Sequence, residues 1–184
     1  MRTLLCIALA TTLLTGCGGG GDPESAALSR KDTASALAGA PAPLARLHSQ
    51  AGRLLEGGRP AFERRIRELK GHPVVVNKWA SWCPPCRAEF PFFQKQSIER
   101  GKEVAFIGVD ANDNDDNAKK FLRRFPVSFP SYSDPKLQVS ATFNGVAAFP
   151  STAFYDSKGR LAYLKQGGYA TEEKLVEDIE RYAR

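Results

Sequence analysis

The sequence contains few of the residues that bind metals or cross-link small domains. Its 184 residues include four cysteines and two histidines. Long hydrophobic runs are also scarce, since the apolar segment of residues 4–14 is well short of the roughly 20 residues that span a bilayer. The 26 Lys and Arg exceed the 20 Asp and Glu only modestly, and the net charge of +6 is spread along the chain. This pattern argues against a nucleic-acid-binding surface.

Aromatic residues are missing from the first third of the chain. The 11 Phe, 5 Tyr and 2 Trp residues all lie between Phe62 and Tyr182. Because aromatic side chains dominate core burial, the sequence predicts a folded domain over residues 60–184. That length supports a core without disulfide cross-links.

The N-terminal 59 residues are interpreted as a delivery segment. A positive start followed by an apolar run is typical of a secretory signal peptide. Residues 14–17 (Leu-Thr-Gly-Cys) resemble the lipobox of bacterial lipoproteins, which predicts a signal peptide over residues 1–16 and lipidation of Cys17. An ordinary cleaved signal with an incidental cysteine is the alternative. Residues 17–59 are expected to be the lipidated N-terminus and a flexible linker, with a short helix over residues 44–55.

Hydrophobic periodicity within residues 60–184 predicts alternating helices and strands, then a hairpin and a last helix. The β-branched run of residues 74–79 is typical of a central strand with both faces buried. The order indicates an α/β fold in which helices cover both faces of a mixed central sheet. The predicted helices are residues 60–70, 84–100, 116–125, 135–144 and 172–182, and the predicted strands are residues 74–79, 104–109, 152–156 and 161–166.

The strongest chemical signal is Cys83 and Cys86, separated by Pro84 and Pro85 at the predicted start of a helix. Thiols at positions i and i+3 lie on one helix face and can form a disulfide. The helix N-terminus carries about half a positive charge, which stabilises a thiolate and lowers the pKa of Cys83. Cys83 is therefore the expected nucleophile and Cys86 the resolving thiol, while the two prolines stiffen the turn.

Other roles for the cysteine pair are a structural disulfide, half of a zinc site and metal delivery. A four-residue loop removes little entropy from the unfolded chain, so the pair would be a poor structural cross-link. Zinc usually takes four ligands, and His48 and His72 lack ligand spacing. We therefore expect no metal and no cofactor. A metal chaperone and a redox-inert binding lipoprotein are the alternatives to a redox enzyme.

Residues 74–87 and 89–91 resemble the active-site segment of the TlpA/ResA group of thioredoxin-fold thiol–disulfide oxidoreductases, and residues 145–152 and 156–160 extend the similarity. The resemblance covers about residues 60–184 and implies a thioredoxin-like fold. It also implies that Pro150 is a cis-proline facing the cysteines, with a trans-proline opening the next strand as the alternative. The expected substrate-binding residues are Trp82, Pro84, Pro85 and Phe149.

Three polar or charged residues near the cysteines, Asn77, Lys78 and Glu89, also bear on the site. Asn77 stands where thioredoxins carry a buried aspartate, and its amide cannot accept a proton from Cys86. Glu89 follows Cys86 by three residues, and the resemblance implies a catalytic role for it there; a solvated helix-surface residue is the alternative. Lys78 occupies a strand position that is commonly apolar, so it either has no role at the sheet edge or lowers the pKa of a nearby thiol.

The resemblance implies a thiol–disulfide oxidoreductase of the protein-disulfide reductase type, lipid-anchored to a bacterial membrane outside the cytoplasm. Protein thiols and disulfides are its implied substrates, including the haem-site cysteines of apocytochrome c. A membrane thiol-transfer protein is the implied electron donor, and no nucleic-acid partner is expected. An exported oxidant would use the same chemistry in the opposite direction.

Overall fold

The computed structural model describes residues 30–184. The predicted signal peptide and Cys17 lie outside the described residues. The helices of the described part are α1 (Arg30–Ala36), α2 (Ala42–His48), α3 (Gly58–Glu68), α4 (Pro84–Glu99), α5 (Asp115–Arg124) and α6 (Glu172–Tyr182), with a 3-10 turn at Ser140–Phe143. The strands are β1 (Leu54–Leu55), β2 (Val74–Trp79), β3 (Ala105–Ala111), β4 (Ser131–Asp134), β5 (Ser151–Tyr155) and β6 (Leu161–Gln166).

The strands form one mixed sheet in the order β1-β4-β3-β2-β5-β6. Strands β1 to β4 pair in parallel, whereas β5 pairs antiparallel with both β2 and β6. All six residues of β2 are buried, because this strand has a neighbour on each edge and side chains packed against both of its faces. The sheet confirms the predicted α/β fold with a mixed central sheet.

Alternate residues of β2 point into two separate hydrophobic cores. Trp79 packs in the same core as Phe90 of α4 and Ile179 of α6. Val76 belongs to the second core, with Phe62 of α3. Because side chains alternate between the faces of a strand, a continuous apolar run requires helices on both sides. This is the layered arrangement that the sequence predicts.

Where the structure describes the segment before residue 60, it forms helices and a short strand and not the expected flexible linker. Helix α2 ends at His48, and Leu44 and Leu47 are fully buried in the core shared with α3. The predicted short helix does not continue to residue 55, since Leu54 and Leu55 form β1 and pair with β4. The apolar side chains of this segment therefore complete a core whose other members lie far along the chain.

The predicted helix over residues 135–144 is also wrong. Asp134 ends strand β4 and then caps the following turn, as its carboxylate accepts hydrogen bonds from the Val139 and Ser140 amides and the Ser140 hydroxyl. Only Ser140–Phe143 is helical, as a 3-10 turn. Asp134 is thus a capping residue, as expected, but it ends a strand that the hydrophobic pattern does not predict.

Replacing Leu47 with alanine tests whether the N-terminal segment belongs to the domain. We expect Leu47→Ala to lower the free energy of unfolding by about 2–5 kcal/mol, because truncation of a fully buried leucine leaves a cavity. Denaturant titration followed by circular dichroism measures the loss. Leu161→Ala is the control, since Leu161 is 37% exposed; equal stability of Leu47→Ala and the wild type would contradict the packing described above.

Candidate active site

The two cysteines lie in the first turn of α4, at the C-terminal end of β2. Cys83 is the N-terminal capping residue, and its Sγ accepts a hydrogen bond from the Cys86 amide at 3.2 Å. Cys83 and Cys86 form a disulfide. Cys86 is fully buried, whereas Cys83 is 2% exposed. Of the two cysteines, only Cys83 is therefore in contact with solvent.

The start of α4 provides the electrostatic environment of Cys83. Pro84 and Pro85 occupy the first two helical positions and are exposed. Neither proline has an N–H, so the Cys86 amide is the first helical donor available to the Cys83 sulfur. The partial positive charge at this end of the helix favours a thiolate at Cys83 once the disulfide is reduced.

Residues that follow β3 hold the turn before Cys83. The Ser81 amide donates to Asp113 Oδ2 at 2.6 Å, and the Trp82 indole donates to the Asn112 carbonyl at 2.9 Å. No sequence motif marks Asn112 or Asp113 as part of the site. Their position could have been inferred, because the C-terminal ends of adjacent parallel strands meet at one edge of the sheet.

The Phe149–Pro150 peptide bond is cis, as the resemblance implies. The Phe149 ring packs against the Trp82 ring with centroids 4.9 Å apart, and Trp82 is 50% exposed. The Pro150 carbonyl accepts a hydrogen bond from the Gly167 amide at 2.9 Å. The residue before the cis-proline and the residue before Cys83 are therefore in direct contact.

Gly168 lies where three of the predicted site residues converge. A methyl group on Gly168 would be 3.6 Å from Glu89 Oε2, 3.6 Å from the Pro150 ring and 3.7 Å from Pro85 Cβ. Gly168 was not identified from the sequence, although two adjacent glycines after the last strand mark a tight backbone approach. The loop after β6 thus forms part of the site.

Glu89 is fully buried, which excludes the alternative of a solvated helix-surface residue. Its Oε1 accepts from Asn77 Nδ2 at 2.7 Å, and its Oε2 accepts from the Tyr169 amide at 3.0 Å. Burial raises the pKa of Glu89 to about 7, and these two hydrogen bonds and the Lys165 charge only partly offset the effect. A carboxyl group with this pKa can gain or lose a proton near neutral pH.

Asp110 is a second buried acid at the same edge of the sheet, and its sequence context gives no sign of it. It lies beside Trp79 in the pairing of β3 with β2. Burial raises the pKa of Asp110 to about 8, and the nearby carboxylate of Asp113 adds to the rise. Its Oδ1 has no hydrogen-bond partner within the described residues. A protonated Asp110 at neutral pH avoids a buried charge.

Residues 30–184 contain no group of three or more His, Cys, Asp or Glu side chains arranged to hold a metal ion. In the same part of the chain, no helix is long and apolar enough to cross a membrane.

The chain is similar to several thiol–disulfide oxidoreductases. The ResA protein of Halalkalibacterium halodurans, named a thiol-disulfide oxidoreductase, is 32% identical over 117 residues, or 62% of this chain and 64% of the relative. The ResA protein of Geobacillus thermodenitrificans is 30% identical over 125 residues, or 64% of this chain and 67% of the relative. The matched region thus spans about two thirds of the length of these relatives, and slightly less in the first.

Solved structures are also similar to this chain. A putative thiol:disulfide interchange protein DsbE from Chlorobium tepidum superposes with a TM-score of 0.57 at 30% identity, covering 63% of this chain and 83% of that chain. The structure of MTB DsbF gives a TM-score of 0.57 at 30% identity, with 62% and 84% coverage. The Redoxin family model matches residues 55–180. The chain therefore belongs to the Redoxin family and has a thioredoxin-like fold.

Proposed function

We propose that this protein is a thiol–disulfide oxidoreductase that reduces disulfides in proteins outside the cytoplasm. The proposal is carried by the Cys83–Cys86 disulfide at the N-terminus of α4, beside the contact between Trp82 and Phe149. The names of the matched relatives support this chemistry, since they include thiol-disulfide oxidoreductases and a putative thiol:disulfide interchange protein.

The reaction begins from the reduced protein. The Cys83 thiolate attacks one sulfur of a substrate disulfide, so that a mixed disulfide forms and the other substrate sulfur leaves as a thiolate. Cys86 then attacks the Cys83 sulfur, which releases the second substrate thiol and forms the Cys83–Cys86 disulfide. Two electrons pass from the protein to the substrate, and a thiol donor must return them before the next cycle.

Glu89 is proposed as the proton acceptor for Cys86. Resolution requires the Cys86 thiolate, but Cys86 is fully buried, and burial in apolar surroundings disfavours the thiolate. Glu89 lies one helical turn after Cys86, and i and i+3 side chains are neighbours on a helix. Its hydrogen bonds to Asn77 and Tyr169 hold the carboxylate in place while leaving its pKa near 7.

Phe149 and Trp82 are proposed to form the substrate contact, together with Pro84 and Pro85. The backbone before Pro150 would pair with an extended segment of the substrate, and the half-exposed Trp82 ring would pack against it. The family resemblance suggests the haem-site cysteines of apocytochrome c as one substrate and a membrane thiol-transfer protein as the electron donor. The signal-like N-terminus supports attachment to a bacterial membrane through Cys17.

The reduction potential tests the direction of electron flow. We expect the Cys83–Cys86 couple to lie near thioredoxin's value of about −270 mV, as befits a reductant. Equilibration in dithiothreitol redox buffers, followed by thiol labelling, gives this value, and the Cys83→Ser variant should show no transition. A potential near about −120 mV would instead identify an oxidant.

Single cysteine variants test the assigned roles of the two thiols. We expect Cys86→Ser to accumulate mixed disulfides with substrate on a non-reducing gel, because the nucleophile remains but resolution is lost. Cys83→Ser should accumulate few, since its remaining thiol is buried. Equal trapping by both variants would contradict the roles, and failure of the wild type to reduce insulin would favour a redox-inert binding protein.

Glu89→Gln tests the proton acceptor. We expect release of reduced substrate from the mixed disulfide to be slowed by about 100-fold, the lower range for loss of a positioned acid or base. In the wild type the release rate should rise as pH increases through about 7, where Glu89 becomes ionised, and the variant should lose this inflection. Rapid-mixing measurements of a preformed mixed disulfide report the rate directly.

The stability of the same variant provides an independent check. The pKa of Glu89 is about 7 in the folded state against 4.5 in the reference state, so the folded state binds the proton more tightly. Ionisation of Glu89 should therefore lower the free energy of unfolding by about 3 kcal/mol as pH rises from 4.5 through 7, because a tenfold change in proton affinity corresponds to about 1.4 kcal/mol. Ionisation of Asp110, whose pKa is also raised, adds its own fall over this range. Glu89→Gln should remove the Glu89 share and keep the Asp110 share, whereas the exposed control Glu177→Gln should keep both. Loss of the stability effect with unchanged release kinetics would assign Glu89 a structural role only.

A further inference from the structure

Lys78 is fully buried in the middle of the sheet. It lies in the central strand β2 between β3 and β5, so the explanation of a lysine at the sheet edge is wrong. Its side chain points to the face of the sheet opposite Asn77, because consecutive residues of a strand alternate. Burying an ammonium group is costly unless polar partners replace its water, so its contacts identify what it does.

The hydrogen-bond and cation–π partners of the ammonium group within the described residues lie in residues 145–149, which we call the pre-proline segment. Lys78 Nζ donates a hydrogen bond to the Gly145 carbonyl and lies 3.4 Å from the Val146 carbonyl oxygen. It also lies 3.7 Å from the centroid of the Phe149 ring, an arrangement typical of a cation–π interaction. The buried charge thus holds both ends of the segment that leads into Pro150.

The pre-proline segment has no regular secondary structure, and besides Lys78 the packing of Phe149 against both hydrophobic cores holds it in place. Val146 is 43% exposed and Ala147 is exposed. The Gly145 amide donates to the Ser140 carbonyl, and the Ser151 hydroxyl donates to the Ala148 carbonyl. Charge-assisted hydrogen bonds are about twice as strong as neutral ones, so Lys78 is a major restraint on the position of this segment.

Phe149 connects Lys78 to the active site. The centroid of the Phe149 ring lies 3.7 Å from Lys78 Nζ and 4.9 Å from the centroid of the Trp82 ring. Trp82 precedes Cys83, so a continuous series of contacts runs from the buried charge to the residue beside the nucleophile. The hydrogen bonds of Lys78 Nζ within the described residues go to the Gly145 and Val146 carbonyls and to neither thiol.

We propose that Lys78 is a positioning residue that holds the pre-proline segment in the conformation that binds a polypeptide substrate. The inference rests on the proposed function, because it assigns Lys78 to substrate recognition by that site. Burial lowers the pKa of Lys78 to about 8, and the nearby Asp134 carboxylate limits the change. The ammonium form therefore predominates at pH 7, where its contacts are charge-assisted.

Lys78→Met is the test, because methionine has a similar length but carries neither charge nor donor. At pH 7, we expect KM for reduction of insulin to rise about tenfold, as for loss of a charge-assisted hydrogen bond. The kcat for insulin and the rate with the small disulfide 5,5′-dithiobis(2-nitrobenzoate) should remain within about twofold, and the reduction potential should be unchanged. Lys158→Met, in the exposed hairpin at the opposite end of β5, is the matched control and should change none of these quantities.

A double-mutant cycle with Phe149→Leu tests the shared pathway. If Lys78 acts through Phe149, the two substitutions together should raise KM by less than the product of their separate effects. Lys78→Gln, which keeps a donor without the charge, replaces Lys78→Met if the latter does not fold, and it should also raise KM for insulin.

The outcomes of these experiments are distinguishable. An unchanged KM for insulin in a folded Lys78 variant would overturn the inference and leave the proposed function intact. Equal losses with insulin and with the small disulfide would also overturn it, because Lys78 would then act on the thiols or on the fold as a whole. A wild type that reduces neither substrate would contradict the proposed function and this inference with it.

Discussion

Strand β2 is enclosed on every side: β3 and β5 pair with its two edges, and a hydrophobic core packs against each of its faces. Any polar side chain in such a strand must find its partners inside the protein. Asn77 and Lys78 are adjacent and point to opposite faces, so their nitrogen donors bind partners in different layers, whereas Asn77 Oδ1 has no hydrogen-bond partner within the described residues. Asn77 donates to Glu89 on the cysteine helix, and Lys78 donates to the segment before Pro150. Through these two hydrogen bonds, β2 is joined both to α4, which carries the cysteines, and to the pre-proline segment.

The buried ionisable groups near the site share a physical property. Glu89 has a pKa raised to about 7, Asp110 a pKa raised to about 8 and Lys78 a pKa lowered to about 8, and burial is the largest cause in each case. Groups that titrate near neutral pH are suited to proton transfer, and such shifts cluster at functional sites. The geometry separates their roles: Glu89 lies on α4, the helix that begins at the cysteines, whereas Lys78 faces the other core.

The elements with strong local patterns were predictable from the sequence, whereas those that depend on distant neighbours were not. The apolar run of β2, the Cys83 helix start and the terminal hairpin all depend on residues close together in the chain. Strand β4 was missed because Ser131–Asp134 is short and polar, and it is a strand only because β3 and β1 flank it. Leu44 and Leu47 resemble linker residues because nothing nearby in the sequence shows the core that buries them.

In the site, the cysteine pair and the cis-proline are encoded in short motifs, and both were predictable. The partners of Glu89 and Lys78 could not be derived, because the Tyr169 amide lies 80 residues after Glu89 and the Gly145 carbonyl lies 67 residues after Lys78. Loop geometry decides such contacts, and hydrophobic periodicity contains no information about it.

The shielding of the disulfide has a consequence for how the protein would exchange electrons. Cys86 is fully buried and Cys83 is only 2% exposed, and Phe149 packs against the hydrophobic core that contains both and against Trp82, the residue before Cys83. A thiol that restores the reduced form must approach the same sulfur as the substrate and across the same side chains. Donor and substrate would therefore compete for one surface and react in turn, so that turnover follows ping-pong kinetics. An excess of either partner would inhibit the reaction of the protein with the other partner.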